Sequence, residues 1–353
     1  MRLNVIDFLK GYSIFTIVIF HLLALYFGGI APDVFFKAIS FGGTGVHVFI
    51  LCSGFGLCLS QLKKTISPLD FYKKRFAKIY IPYIIVVLIS AAIPFVDKGY
   101  IGNDRLIALL SHIFLFKMFD SNLTDSFGGH FWFISMIIQF YIIFPYLYKV
   151  FIKTSNKKFI TICIVLSLIW ATFVAIIGKE EYRAWNSFFM QYLWEFALGM
   201  ILARFYIKNN NTLSIPSKSI LCLVSILGLV LYGLMGFSGG ILKLYNDIPA
   251  LFGYLSLALL LYSFSIGFIN KFFSYTSSFS YEWYLIHPLI FSCVLILNNY
   301  FFKSNSYPKL ALLAILALIA SYLLSIVYHK LINQYNAPQN LDKNKGGGKG
   351  LSL

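Results

Sequence analysis

Runs of apolar residues, each close to twenty positions long, follow one another along the chain, separated by short polar links that are mostly basic. A helix of about 20 apolar residues matches the thickness of a bilayer's hydrocarbon core. The pattern predicts about ten transmembrane helices, at roughly 8–27, 43–61, 79–96, 128–148, 159–177, 185–206, 219–237, 248–269, 278–300 and 308–330. The apolar run Leu106 to Phe119 is short for a span and contains His112 and Lys117, so it is expected to be interfacial or re-entrant. The fold class expected is all-α: a polytopic membrane helical bundle, residues 1–330, followed by a polar, disordered tail at 331–353. No internal repeat is visible by inspection, which counts against transporter folds built from repeated halves.

Composition agrees. Of 353 residues, 59% are hydrophobic and only 12% charged, outside the range of soluble globular domains. The net charge of +16 does not indicate nucleic acid, because the basic residues are scattered through loops between apolar runs. One set of loops holds Lys63, Lys64, Lys73, Lys74, Arg75, Lys78, Lys149, Lys153, Lys157 and Lys158; the opposite set collects Asp120, Asp125, Glu180, Glu181 and Asp247. By the positive-inside rule the first set is cytoplasmic, and an even number of spans then makes both termini cytoplasmic. The first apolar segment lacks a small-residue cleavage site and reads as a retained helix rather than a signal peptide. Cys52, Cys58, Cys163, Cys222 and Cys293 all fall within apolar segments without paired spacing and read as small buried hydrophobes.

Against this background the ionisable residues inside the spans stand out, since each is costly in hydrocarbon. His21 lies deep in the first span, and Lys10 lies eleven residues earlier. At about 100° per residue that separation is about three turns, so the two share one helix face about 16 Å apart along the axis, with Asp7 on nearly the same stripe. The first helix thus carries a cation near the cytoplasmic surface and an imidazole in the outer half. Imidazole titrates near neutrality and suits proton removal from an attacking hydroxyl; the alternative is a histidine bonding a neighbouring helix. Lys10 either binds an anionic ligand or snorkels to headgroups. Glu195 and Glu282 are the acids well inside apolar runs, and His287 precedes Pro288, which is expected to kink its helix. His47 and His329 suggest nothing beyond ordinary packing.

A resemblance emerges from several short strings in order. Ile6-Asp7-Phe8-Leu9-Lys10-Gly11 through His21 resembles the opening of the family-3 integral-membrane acyltransferases, which O-acylate bacterial cell-surface sugars. Gly45-Val46-His47-Val48-Phe49 with Ser53-Gly54-Phe55, Phe71 through Arg75 and Lys78 to Pro82, His130-Phe131-Trp132-Phe133-Ile134-Ser135 with Gln139-Phe140-Tyr141, and Ser280-Tyr281 with Tyr284-Leu285-Ile286-His287-Pro288 are similar to later family segments. Two positions depart: family members commonly have an acid where this chain has His47, and another where it has Ile137.

The resemblance implies a bacterial inner-membrane O-acyltransferase that uses acetyl-CoA and no metal, acting on a carbohydrate acceptor amid membrane lipids. It implies a catalytic role for His21 and places Lys10, Arg75 and Lys78 near the donor's phosphates, for which guanidinium forks and ammonium charges are suited. His130, after Gly128-Gly129, together with Trp132, Ser135 and Gln139, would meet the acceptor. Trp132 equally suits an interfacial belt, and Ser135 and Gln139 equally suit helix-helix bonding. No HExxH, Walker or GxGxxG signature is present. The rival from another class is a transporter or flippase for lipid-linked sugars or small solutes.

Overall fold

The computed structural model describes residues 4–28, 32–93, 105–301 and 306–345. It is all-helical: α1 (Asn4–Phe27), α2 (Asp33–Ser40), α3 (Gly45–Lys63), α4 (Pro68–Arg75), α5 (Ile81–Ala92), α6 (Arg105–Ile113), α7 (Trp132–Lys153), α8 (Asn156–Ile176), α9 (Arg183–Asn186), α10 (Leu193–Lys208), α11 (Lys218–Ser238), α12 (Asp247–Phe264), α13 (Gly267–Ser277), α14 (Ser280–Phe301) and α15 (Tyr307–Lys345). Among the described residues, nine helical stretches are long and apolar enough to cross a membrane: 4–27, 34–63, 68–92, 129–153, 156–176, 218–238, 247–264, 280–301 and 307–335.

The expected span at 185–206 is the exception. It is helical only from Leu193, as the 16-residue α10, and is preceded by the single turn α9 and an irregular stretch. The last helix continues past Lys330 to Lys345; residues 346–353 and the expected span end at 94–96 lie outside the described residues. The expected interfacial segment forms α6 and a short 3₁₀ turn at Lys117–Phe119.

Local sequence explains where helices start. Ser67, Ser155 and Ser217 cap α4, α8 and α11 by accepting from the backbone N–H groups of Asp70, Lys158 and Ile220, satisfying donors that the first turn leaves free. Pro82 has no N–H, and the turn before it, Phe76–Tyr80, widens to a π-helix. The Ile79 and Pro82 carbonyls accept from the Tyr281 and Tyr328 hydroxyls, each at 2.7 Å. This region is thereby tied to α14 and α15.

In lipid, helices associate through close packing rather than through exclusion of water. A Cβ on Gly54 would lie 2.1 Å from the Phe196 carbonyl oxygen, and one on Gly199 would lie 2.0 Å from that of Leu51. Those two glycines let α3 and α10 run side by side. Phe140 of α7 stacks on Phe196 at 4.5 Å and helps close the same core. A second core joins α1, α5, α14 and α15 around Val18, Tyr83, Trp283 and Phe291. Outward faces such as Leu223, Ile226, Leu227 and Val230 on α11 are exposed and apolar, as a lipid-facing surface requires. The helix carrying His21 lies between the two cores.

Candidate functional site

Three helices bring three histidines together near the middle of the bundle. His21 of α1 lies with its Nδ1 2.8 Å from His287 Nε2 on α14, and the two rings stack at 5.1 Å with 10° between their planes. His130, in the turn before α7, sits 6.2 Å from the His21 ring and 5.4 Å from that of His287. The backbone carbonyl of His130 accepts a short hydrogen bond from the Tyr284 hydroxyl, which fixes this turn against α14.

The hydrogen-bond directions follow from one fixed point. His287 Nδ1 lies 2.8 Å from the Trp283 carbonyl oxygen, an acceptor only, so Nδ1 carries the proton and donates. In the neutral ring His287 Nε2 is therefore a lone pair, and it accepts from His21 Nδ1–H. His21 Nε2 is then left as a lone pair on the outer side of the pair. Pro288 supports this arrangement, since its missing N–H loosens the turn in which Trp283 and His287 meet.

Two large cavities lie in the bundle, and His21 and His130 line the second of them. The first, about 860 Å³, lies at the basic end and is lined by Lys10, Lys73, Lys74, Arg75 and Lys78. Arg75 also lies over the rings of Phe71 and Tyr141, at 5.7 and 5.9 Å, which holds its guanidinium at the cavity wall. Glu282 and His329 line the same space, with His329 Nδ1 3.1 Å from Glu282 Oε1. Sequence reasoning had assigned no role to that pair, because the partners lie on different helices.

The second cavity, about 780 Å³, opens at the other end and is lined by His21, His130, Trp132 and His47 among others. Here His47 is more than a packing residue. Its Nδ1 lies 2.7 Å from Glu195 Oε1, and its Nε2 lies 4.0 Å from Asp247 Oδ1. Where the sequence lacks an acid at position 47, α10 and α12 bring two carboxylates to the same place. The Arg183 guanidinium covers Trp132 at 4.9 Å.

Ile17, Val46, Phe133 and Tyr284 line both cavities, so the two meet at a mostly apolar collar one helical turn from His21. Of the residues singled out from sequence, Lys10, Arg75 and Lys78 come together in one cavity, and His21, His130 and Trp132 in the other. Ser135 and Gln139 line neither. Ser135 is buried on α7, and Gln139 Oε1 accepts from the Phe189 N–H at 3.2 Å, holding the irregular stretch ahead of α10.

The segment leading into His130 is pinned by two buried groups outside the spans. Tyr83 O–H donates to His112 Nδ1 at 2.7 Å, and His112 Nε2–H donates to the Ser126 carbonyl at 3.0 Å. Burial, with the neighbouring Lys117 charge, pushes the His112 pKa down to about 2, so the ring is neutral. Lys117, fully buried, donates to the Ser126 and Gly128 carbonyls at 3.2 and 3.0 Å. Burial pushes the Lys117 pKa down to about 7, with Asp125 opposing.

A helical membrane bundle with a basic cavity, a mixed polar cavity and a histidine pair beside the second defines a multi-pass membrane protein with an enzyme-like site. Residues 3–330 match the profile of the Acyltransferase domain of acyltransferase family 3, and the chain belongs to that family. No curated protein and no solved structure matches the chain.

Proposed function

We propose that this acyltransferase moves an acetyl or other short acyl group from acyl-CoA to a hydroxyl of a cell-surface or lipid-linked carbohydrate, in the bacterial cytoplasmic membrane. The observation that carries the reading is the meeting of the two cavities beside His21, whose Nε2 lone pair is set by His287. The basic end is the cytoplasmic one by the positive-inside rule, which puts both termini there when α10 is counted as a tenth crossing. Acetyl-CoA is the donor. Its phosphates pair with Lys10, Arg75 and Lys78, and its thioester reaches the collar, where apolar walls keep water from a reactive acyl group.

The acceptor hydroxyl arrives from the opposite cavity, past His130 and Trp132. His21 Nε2 removes its proton as the oxygen attacks the thioester carbonyl carbon. The C–O bond forms, the C–S bond breaks, and the coenzyme A thiolate takes the proton back from the His21 imidazolium. Tyr284 is the one collar residue with a nucleophilic side-chain atom, and its hydroxyl already donates to the His130 carbonyl. The transfer is direct, from the thioester to the acceptor hydroxyl, without an acyl-enzyme between them.

The test is transfer of label from radioactive acetyl-CoA to surface-glycan extracts by the purified protein. Transfer is expected with the unmodified chain, and a loss of at least 10³-fold with His21→Ala at equal abundance. Absence of transfer to every extract, together with proton-coupled solute flux in liposomes, would sink this reading in favour of a transporter.

A further inference from the structure

A third cavity, about 210 Å³, lies on the lipid-facing side of the bundle between α8, α10 and α12. Its walls include Ile164, Leu168, Ala171, Trp194, Leu198 and Phe252. Leu168 and Phe252 are 42% and 40% exposed, so the groove opens sideways into hydrocarbon. Gln191, Leu244 and Asp247 line both it and the acceptor-side cavity, so the two share that wall.

The junction has a definite polarity. Gln191 Nε2 donates to the Leu244 carbonyl at 2.6 Å and to Asp247 Oδ2 at 2.7 Å, which fixes the side-chain amide. Gln191 is only 4% exposed, and its Oε1 has no hydrogen-bond partner among the described residues. Glu195 Oε2, fully buried nearby, is in the same condition. Buried acceptors of this kind call for an O–H or N–H donor. A phosphate would bring further acceptors and a negative charge against Asp247. No Lys or Arg lines the groove among the described residues; Lys37, Arg183 and Lys243 line the acceptor-side cavity instead.

We infer that the acceptor is an uncharged glycolipid, its hydroxylated headgroup joined to an aliphatic chain without a phosphate at the linkage. The chain lies in the groove between α8, α10 and α12, and headgroup hydroxyls donate to Gln191 Oε1 and Asp247. This rests on the proposed transfer to a carbohydrate and narrows its acceptor.

The test measures binding without acyl-CoA, so its outcome is independent of whether acyl transfer occurs. The protein in phosphatidylcholine nanodiscs is irradiated with a monoglycosyl diacylglycerol carrying a diazirine in its acyl chain, and labelled peptides are mapped. Labelling is expected on α8 and α12 around Leu168 and Phe252. Excess unlabelled glycolipid should reduce it at least tenfold, whereas phosphatidylglycerol or a polyprenyl-diphosphate sugar at equal mole fraction should not. Leu168→Trp, which fills the groove from its lipid side, should lower labelling at least fivefold in protein that remains monodisperse. Labelling spread evenly around the bundle, equal displacement by phosphatidylglycerol, or stronger displacement by the polyprenyl-diphosphate sugar would each overturn the inference; all three arms use the unmodified chain.

Discussion

At the scale of single residues, the consequence of the His21–His287 contact is a chosen tautomer. An imidazole is a base at one nitrogen only, and here the Trp283 carbonyl, acting through His287, decides that it is Nε2 of His21. In serine hydrolases, losing the group that sets the histidine tautomer costs about 10⁴ in kcat with geometry intact. In the proposed reaction His287 is a positioning residue of the same kind. His287→Ala is expected to lower kcat by about 10²-fold or more and to leave KM for acyl-CoA unchanged, since His287 does not line the donor cavity. His287→Gln, whose amide oxygen accepts from His21 Nδ1–H, should restore part of the rate. Equal losses in both variants would remove the tautomer argument. His21 and Lys10 stood out by depth and spacing because both sit on one helix, and the resemblance to a known family assigned them roles. The histidine pair did not, since 266 residues separate its partners and only tertiary packing joins them. His47 shows the same limit: the acids absent from its own segment are supplied by Glu195 and Asp247.

Elements were legible wherever hydropathy and helicity agree. They part company at 185–192, where an apolar, aromatic-rich stretch reads as the start of a span. Instead Asn186 Nδ2 donates to the Glu180 carbonyl at 2.7 Å, and Gln139 takes the Phe189 N–H, so side chains satisfy backbone groups that a helix would have paired. The α6–α7 connection is a similar case, a largely irregular segment with two short 3₁₀ turns, held by Lys117 and His112. Its opening carries a pH dependence. Lys117 has a pKa of about 7 when buried, against about 10.4 when released, so between those values the opened segment binds more protons. Closing is therefore increasingly favoured as pH rises from 7 towards 10 through Lys117, and also as it rises from about 2 to about 6.5 through His112, which is neutral when buried and protonates when released. The neutral amine keeps two N–H donors for its two carbonyls. Hydrogen exchange at Phe127–Phe131, corrected for intrinsic rates, should give an opening constant that falls from pH 7 to pH 9, and Lys117→Met should flatten that slope. An opening constant that rises over this interval contradicts the assignment.

The whole molecule separates two solvents and two reactants. Lys10, Lys73, Lys74, Arg75 and Lys78 line its basic cavity, and His47 and Asp247 line the other, with Glu195 buried behind His47; the collar of Ile17, Val46, Phe133 and Tyr284 is shared by both. In the proposed transfer that collar passes an acyl group yet excludes water, because a thioester beside an imidazole base is otherwise hydrolysed. The Phe133 ring lies 5.6 Å from Tyr284 and 6.4 Å from Phe49, across the collar. Phe133→Ala is expected to raise acceptor-independent release of free coenzyme A at least fivefold while lowering transfer to glycan. Val46→Phe narrows the same passage and should lower both. Thiol release and label transfer, measured on the same preparations, separate the two effects. Unchanged thiol release in Phe133→Ala would mean that water is kept from the thioester by something other than this ring.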